Sequence, residues 1–160
     1  VQDIENQDRK YEMRNLDGGI LVQQENNDIL KIDELKVVTN TKPTEDTIKS
    51  MLFGWQVLKH VKSNAIITVK DNTTVGIGAG QVSRIDAVDI AISKSKTAIK
   101  GSILCSDAFF PFRDSIDKIS QYNINGVIQP GGSIKDNEVI DACNEHNIPM
   151  VFTGRRCFKH

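Results

Sequence analysis

Three stretches of the sequence join turn residues to side chains that could hold a ligand. They read GIGAGQVSR (76–84), SDAFFPFRD (106–114) and QPGGS (129–133). In each stretch a run typical of a β-strand ends and a run typical of a helix begins. Open α/β sheets bind ligands at such strand ends, against helix N-termini. These stretches are therefore the first candidates for a binding site.

The glycines of GIGAGQVSR would let the backbone approach a ligand closely. Arg84 at the end of this stretch could offer a planar pair of donors to a carboxylate or a phosphate. The spacing matches neither a dinucleotide fingerprint nor a phosphate-binding P-loop. A tight strand-to-helix turn with Arg84 on the surface is, on spacing alone, the simpler interpretation.

The stretch SDAFFPFRD has a composition that suits neither a core strand nor a surface loop. Phe109 and its neighbouring phenylalanines, held by Pro111, could form an apolar wall for a flat heterocycle. Asp114, expected at the N-cap of the next helix, could accept two N–H bonds from an amino-pyrimidine edge. The alternative is a buried cluster of phenylalanines that ties strand to helix, with Asp114 a simple cap.

Further positions could take part. Asn64 precedes an apolar strand, where its amide needs a partner in the backbone or in a ligand. QPGGS could present free N–H groups at a helix that Ser133 is expected to cap, with Asp136 three residues on in a variant of the capping box. The doubled cation Arg155-Arg156 would suit a phosphate. A turn residue explains Asn64 equally well, and a βα turn and a solvated tail are the simpler explanations of the other two features.

The elements that must position these stretches follow from hydrophobic periodicity. Strands are predicted at 18–23, 35–40, 101–106, 126–129 and 148–153, with a hairpin over 63–80. Helices are predicted over 41–61, 81–100, 114–123 and 133–147. The strand–helix–strand–helix–strand order of the last third implies parallel strands with right-handed crossovers, and hence an α/β fold.

The composition excludes several classes of protein. With 160 residues, 39% hydrophobic and 26% charged, the chain suits one soluble domain. A net charge of −1 argues against nucleic-acid binding, and no apolar run approaches the ~18 residues of a membrane span. The three cysteines form no CxxC pair and the three histidines no ligand spacing, which predicts reduced cytosolic thiols and no metal site. The missing initiating Met suggests a piece of a longer protein.

Five motifs point to a family. LKHVKSNAI, VGIGAGQVSRIDA, SDAFFPFRDSID, VIQPGGSIKDNEVIDA and VFTGRRCFKH together resemble the AICAR transformylase domain of the PurH family of bifunctional purine-biosynthesis proteins. The resemblance runs in order from GGILVQ to His160. It implies that residues 1–160 are the C-terminal portion of that domain. It also implies a cytidine deaminase-like, three-layer α/β/α fold with a mixed to parallel sheet.

The resemblance implies a reaction. A formyl group passes from the co-substrate 10-formyltetrahydrofolate to the 5-amino group of AICAR ribotide, giving FAICAR. The family's second activity, IMP cyclohydrolase, resides in an N-terminal domain that this chain lacks. No zinc-deaminase signature is present, so no catalytic metal is expected. Cytoplasmic homodimers with active sites at the interface are implied. A module of the same fold that binds nucleotide or folate without turnover is the alternative.

The resemblance also assigns residues. The contacts to AICAR fall on four of them: Asn64, Arg84, Phe109 and Arg156. The contacts to folate fall on four others: Ile85, Asp114, Ser133 and Ile134.

The family's catalytic Lys-His pair lies in a motif resembling LKHVNP, which this chain does not contain. Lys59-His60 belongs instead to the Asn64 motif, so His60 is not expected to be the general base. Asn64 is left with a positioning role, and the chain alone is expected to be inactive.

Overall fold

The computed structural model describes residues 11–160. Within them the strands are Tyr11–Leu16 (β1), Gly19–Gln24 (β2), Lys36–Val37 (β3), Ile66–Lys70 (β4), Thr73–Gly78 (β5), Ile103–Ser106 (β6), Gly126–Gln129 (β7) and Met150–Phe152 (β8). The α-helices are Glu45–Leu58 (α1), Arg84–Ser95 (α2), Asp114–Ser120 (α3) and Asp136–Glu145 (α4). Short 3₁₀ helices occupy Ile32–Glu34 and Lys96–Ile99. Within residues 11–160, no helix has both the length and the apolar character needed to cross a membrane.

One mixed sheet organises the chain. Its strand order is β3-β8-β7-β6-β4-β5, and β1 pairs with β2 in a separate antiparallel hairpin. β6, β7 and β8 run parallel, as the alternation of strands and helices in the last third predicts. β4 runs antiparallel to both β5 and β6, and β3 runs antiparallel to β8. The predicted α/β class with a mixed sheet is confirmed.

Helices cover both faces of the sheet because successive side chains of a strand point to opposite faces. Ile67 and Cys105 belong to one buried cluster, which also contains Trp55 and other residues of α1. Ile66 and Leu104 belong to a second buried cluster, which contains residues of α2, α3 and α4. Within residues 11–160, the six-stranded sheet and the α-helices thus form three layers: α1, the sheet, and α2 with α3 and α4.

Several local predictions are confirmed, but one predicted strand is too long and one observed strand was not predicted. The hairpin β4–β5 turns at Asp71 and Asn72, whose φ values of 49° and 53° are those of a two-residue turn that matches strand twist. Thr44 caps α1, because its hydroxyl accepts the Thr47 N–H at 3.2 Å. The strand predicted at 35–40 shortens to the two residues of β3. The strand β1 was not predicted.

Two helix starts differ from the prediction. α3 begins at Asp114 with Arg113 in the N-cap position, so Asp114 is not the cap. α4 begins at Asp136 after Lys135, so the prediction that Ser133 caps this helix is also wrong. The predicted pair bonds instead in the turn before the helix: the Asp136 carboxylate accepts the Ser133 N–H at 3.1 Å, and the Ser133 hydroxyl accepts the Lys135 N–H at 3.1 Å. The acid and the hydroxyl together close this turn.

The glycines of β5 bring a helix against the strand. A Cβ on Gly76 would lie 2.2 Å from the Ala91 carbonyl oxygen, and one on Gly78 would lie 2.0 Å from that of Ala87. Helix α2 therefore packs directly on the backbone of β5. The sequence suggested that a ligand could closely approach these glycines. In the structure it is helix α2 that approaches them. Gly80 has a φ of 67° and serves the turn that follows.

Replacing Gly78 by Ala tests this packing. The added methyl group would overlap the backbone of α2, and overpacking of this kind costs about 1–3 kcal/mol of the free energy of unfolding. Gly19→Ala is the matched control, since nothing lies within 4 Å of a Cβ there. Denaturant unfolding of both variants measures the difference. Equal stability of the two would contradict the direct helix-on-strand contact.

Candidate functional site

Strand direction gathers the predicted site residues at one edge of the sheet. β5, β6, β7 and β8 share one direction, because β4 is antiparallel to both β5 and β6. The carboxyl ends of these four strands and the amino end of β4 therefore meet at the same edge, which we call the carboxyl edge. The eight predicted residues lie in the adjoining loops or at the first residues of α2 and α3.

Arg84 is buried at this edge. Its Nη1 donates to the Ala65 carbonyl oxygen at 3.1 Å and to the carboxylate of Asp107, and its Nη2 donates to Asn64 Oδ1 at 3.0 Å. Only 9% of Arg84 is exposed, and Asp107 is fully buried. The interpretation that Arg84 is a surface residue is therefore wrong. Its guanidinium is also not an open fork, since three of its hydrogen bonds are made within the protein.

Asn64 holds the loop that leads into α2. Its Nδ2 donates to the Gln81 carbonyl oxygen at 2.9 Å and to that of Val82 at 3.1 Å. Its Oδ1 accepts the bond from Arg84. The sequence left open whether the backbone or a ligand satisfies this amide. In the structure, backbone carbonyl oxygens accept both amide protons. Asn64 can meet a ligand only through the second lone pair of Oδ1.

The C-terminal segment is tied to the same point. Ser63 Oγ donates to Asp107 Oδ2 at 2.5 Å and accepts the Lys159 N–H at 3.1 Å. The Cys157 N–H donates to the Asp107 carbonyl oxygen at 2.9 Å. Asp107 and Ser63 were not predicted as site residues. The one signal available was a carboxylate placed directly after an apolar strand.

Arg156 and Arg155 have different surroundings. The Arg156 guanidinium lies 5.3 Å from the ring centre of Phe109 and 5.6 Å from that of Phe158. Arg155 pairs with Asp28 at 3.3 Å and with a second acid. A cleft of about 410 Å³ runs between residues 23–28 and this segment. Arg156 is the exposed cation of the pair, and it stacks on two aromatic rings beside the cleft.

The phenylalanines of SDAFFPFRD separate into three environments. Phe110 is fully buried, and its N–H donates to Gln129 Oε1 at 2.9 Å. Phe109 is half-buried beside Arg156. Phe112 is 54% exposed, with Lys135 Nζ 6.0 Å from its ring centre. The stretch is therefore neither one continuous wall nor one buried cluster, because Phe110 anchors it and the other two rings lie outside the core.

The remaining predicted residues lie at the start of α3, in the loop after β7 and at the start of α2. Asp114 is exposed, and its Oδ1 accepts the Ser115 N–H at 2.7 Å. Ile134 is fully exposed in the turn after β7. The Ser133 N–H is bonded to Asp136, so the expectation of free N–H groups in this turn is wrong there. The loops after β6 and β7 thus combine a carboxylate with exposed apolar side chains, and Ile85 is the second residue of α2, next to Arg84.

Known proteins resemble this chain over most of its length. The family model described as the AICARFT/IMPCHase bienzyme matches residues 1–94. The chain belongs to the AICARFT/IMPCHase family. The description of this family joins two activities, so membership alone leaves a choice between them.

Relatives in this family are about half identical to the chain. The bifunctional purine biosynthesis protein PurH of Persephonella marina is 52% identical over 98% of this chain and 31% of its own length. The PurH protein of Aquifex aeolicus is 50% identical over 94% and 30%, and that of Clostridium perfringens is 54% identical over 94% and 29%. The chain thus spans just under a third of the length of these relatives.

Among solved structures, the RibD protein of Acinetobacter baumannii is similar only in outline. Its form 1 has a TM-score of 0.44 and 14% identity, over 68% of this chain and 34% of that one. Its form 2 has a TM-score of 0.39 and 12% identity, over 65% and 33%. No functional conclusion follows from likenesses of this size.

The cysteines of this AICARFT/IMPCHase chain are not poised for chemistry. Burial raises the pKa of Cys143 and of Cys157 to about 12. Burial, with Cys157 nearby, raises the pKa of Cys105 well above its usual range. A thiolate is the reactive form, so these thiols are poor nucleophiles at neutral pH. Among residues 11–160 no group of His, Cys, Asp and Glu is arranged to hold a metal ion.

Thiol labelling tests this burial. At about pH 8 the folded protein should be labelled slowly at Cys105, Cys143 and Cys157, and unfolding should expose them to rapid labelling. Stability should fall as the pH rises from the ordinary thiol pKa of 9.0 toward about 12, because only the unfolded thiols ionise there. Peptide mapping by mass spectrometry measures the labelling. Fast labelling of Cys157 in the folded protein would show that this segment opens.

Proposed function

We propose that this chain forms part of the site where a formyl group passes from 10-formyltetrahydrofolate to the 5-amino group of AICAR ribotide, in purine biosynthesis. One observation carries the proposal: two different surfaces lie side by side along the carboxyl edge. The first is cationic and aromatic, and the second is apolar with a carboxylate. Formyl transfer joins two substrates, whereas cyclisation of FAICAR, the family's other activity, needs a site for one.

The cationic and aromatic surface, formed by Arg156 and Phe109 above Asn64 and Arg84, suits a ribotide. We call it the ribotide surface. Arg156 is exposed and can meet a phosphate through charge-assisted hydrogen bonds, for which guanidinium geometry is well matched. Phe109 beside it offers an aromatic ring to a flat imidazole. Asn64 and Arg84 are held rigidly at the base of the same surface. Side chains that are held rigidly suit a reaction that depends on the orientation of its substrates.

The second surface, which contains Asp114, suits a pterin. We call it the pterin surface. Asp114 has one carboxylate oxygen engaged by its own helix, which leaves the other to accept N–H groups of an amino-pyrimidine edge. Phe112, two residues before it, and Ile134, in the loop after the neighbouring strand β7, supply exposed apolar area. Isolated exposed apolar residues are common on proteins, but these two lie in loops at the strand ends, where ligands bind. Ser133 and Ile85 are the other two residues that the resemblance assigns to folate.

The chemistry explains why positioning matters. The amine of AICAR is a poor nucleophile, because its lone pair is delocalised into the imidazole and the carboxamide. Holding the amine against the formyl carbon therefore supplies much of the rate. Asn64 and Arg84 contribute by orientation. The proton acceptor is proposed to come from a Lys-His motif elsewhere in a longer protein, in which this chain is the C-terminal portion of the transformylase domain of a cytoplasmic homodimer.

Arg156→Ala in the full-length protein tests the function and the ribotide surface together. We expect formyl transfer to AICAR ribotide by the wild type. We expect the variant to lose about 1.5–3 kcal/mol of ribotide affinity, the contribution of a hydrogen bond to a charged group. Affinity for the dephosphorylated riboside should change little, since it has no phosphate to lose. Steady-state kinetics with both ligands measures the difference.

Arg155→Ala is the control for this variant. It removes the same charge from the preceding residue, whose guanidinium is already paired with acids. Ribotide affinity should then stay within a few-fold of the wild type. Equal weakening of ribotide and riboside by Arg156→Ala would remove Arg156 from the phosphate site. Binding of both substrates without turnover by the wild type would favour the non-catalytic module.

Asp114→Asn tests the pterin surface. The amide oxygen can still accept the Ser115 N–H, so the melting temperature should stay near that of the wild type. The amide nitrogen cannot accept an N–H bond from the pterin, and folate affinity should fall by about 1–3 kcal/mol. AICAR affinity should be nearly unchanged. Asp46→Asn, in the first turn of α1 beyond the opposite edge, is the control. Unchanged folate affinity in Asp114→Asn would exclude Asp114 from the site.

A further inference from the structure

We propose that Asp107, together with Ser63, is the positioning residue of the ribotide surface. It acts through Arg84, Asn64 and the segment that carries Arg156. This inference rests on the proposed function and deepens it. Asp107 is fully buried, so it does not touch substrate.

The two carboxylate oxygens of Asp107 serve different partners. Oδ1 accepts from the Arg84 guanidinium, and Oδ2 accepts the hydroxyl proton of Ser63 at 2.5 Å. The backbone of Asp107 is engaged as well: its N–H donates to the Ala65 carbonyl oxygen at 3.3 Å, and its carbonyl oxygen accepts from Cys157. One residue therefore connects the start of α2, the residues before β4 and the C-terminal segment.

The first consequence concerns the orientation of Arg84. A buried guanidinium requires a counter-charge, and the carboxylate that supplies it also fixes the plane of the fork. With that plane fixed, Nη2 of Arg84 reaches Asn64 Oδ1 at 3.0 Å. Asn64 in turn holds the carbonyl oxygens of Gln81 and Val82. The carboxylate of Asp107 thus fixes the side chains of Arg84 and Asn64, on which the ribotide surface is built.

The second consequence concerns Arg156. The residue after it, Cys157, is bonded to the Asp107 carbonyl oxygen. Two residues further, the backbone of Lys159 is bonded to Ser63 in both directions, through the Ser63 N–H at 2.9 Å and the Ser63 hydroxyl at 3.1 Å. Asp107 and Ser63 therefore set the distance between the phosphate contact and the contacts at Asn64 and Arg84.

The pterin surface is held by other bonds. Asp114 accepts the N–H of Ser115, its neighbour in α3, and Ser133 donates its N–H to Asp136 at the start of α4. These bonds are local to the two helix starts. A change at Asp107 or Ser63 should therefore reach the ribotide surface and leave Asp114 and Ser133 in place.

A purely structural ion pair makes a different prediction from a positioning pair. If Asp107 only stabilises the fold, its variants should melt at a lower temperature while the properly folded fraction keeps both KM values. If Asp107 positions the ribotide contacts, the KM for AICAR ribotide should rise while the KM for folate stays near that of the wild type. A selective change in KM separates the two roles.

The experiment uses Asp107→Asn and Ser63→Ala in the full-length protein. Asp107→Asn keeps the size of the side chain but removes its charge. Ser63→Ala keeps the ion pair and removes only the bonds of the hydroxyl, so it remains informative if Asp107→Asn does not fold. We expect Asp107→Asn to raise the KM for AICAR ribotide about tenfold or more, and Ser63→Ala to raise it less, with folate KM within about twofold in both.

Ser106→Ala is the matched control. It removes a buried hydrogen bond one residue away, from Ser106 Oγ to the Ala108 carbonyl oxygen at 2.6 Å, without touching Arg84. It should lower the melting temperature and leave both KM values near those of the wild type. A Ser106→Ala protein with the same ribotide defect would show that general loosening of the edge is sufficient, and would overturn the assignment.

The remaining outcomes are decisive in separate ways. Folded Asp107→Asn or Ser63→Ala protein with unchanged ribotide KM, in an enzyme whose wild type transfers formyl groups, would overturn this inference and leave the proposed function standing. An equal rise in the KM of both substrates would also overturn it. A wild type that neither binds nor formylates AICAR ribotide would overturn the proposed function and this inference together.

Discussion

The buried ion pair between Arg84 and Asp107 is the interaction on which the rest of the carboxyl edge depends. Removing two charges from water is costly, and an ion pair repays that cost only when further hydrogen bonds satisfy both partners. Here the bonds come from Ala65, Asn64 and Ser63, which are contiguous in the chain. Satisfying the charges therefore forces the residues before β4, the first residue of α2 and the loop after β6 into one arrangement.

Much of the fold could be predicted because it depends on local patterns. Alternating and helical apolar spacing predicts the hairpin, the parallel strands and the helices, and all are present. The strand β1 escaped prediction because its sequence, YEMRNL, has no apolar run like the ILV of β2, although both strands are mostly exposed. The caps at Asp114 and Ser133 were misplaced because these side chains bond to nearby N–H groups, those of Ser115 and Lys135, without being the residues at which the helices start. Spacing alone does not distinguish such a local bond from a helix cap.

The location of the candidate site could be predicted, but the partners of its side chains could not. Strand direction is enough to bring Asn64, Arg84 and Phe109 to one edge. The bonds that orient them join residues far apart in sequence: Arg84 to Asp107 spans 23 positions, and Ser63 to Asp107 spans 44. No periodicity encodes such a pairing. The substrate contacts assigned by family resemblance remain predictions, whereas the contacts within the protein follow from the geometry.

The glycines at positions 76 and 78 have a consequence for how this sequence can evolve. Because α2 lies on the strand backbone with no side chain between them, any larger residue there would push the helix outward. Arg84 is the first residue of that helix, so an outward movement would withdraw it from Asp107. Selection on the ion pair would therefore act on both glycines. Two residues that contact no ligand would be restricted in sequence as strongly as residues that do.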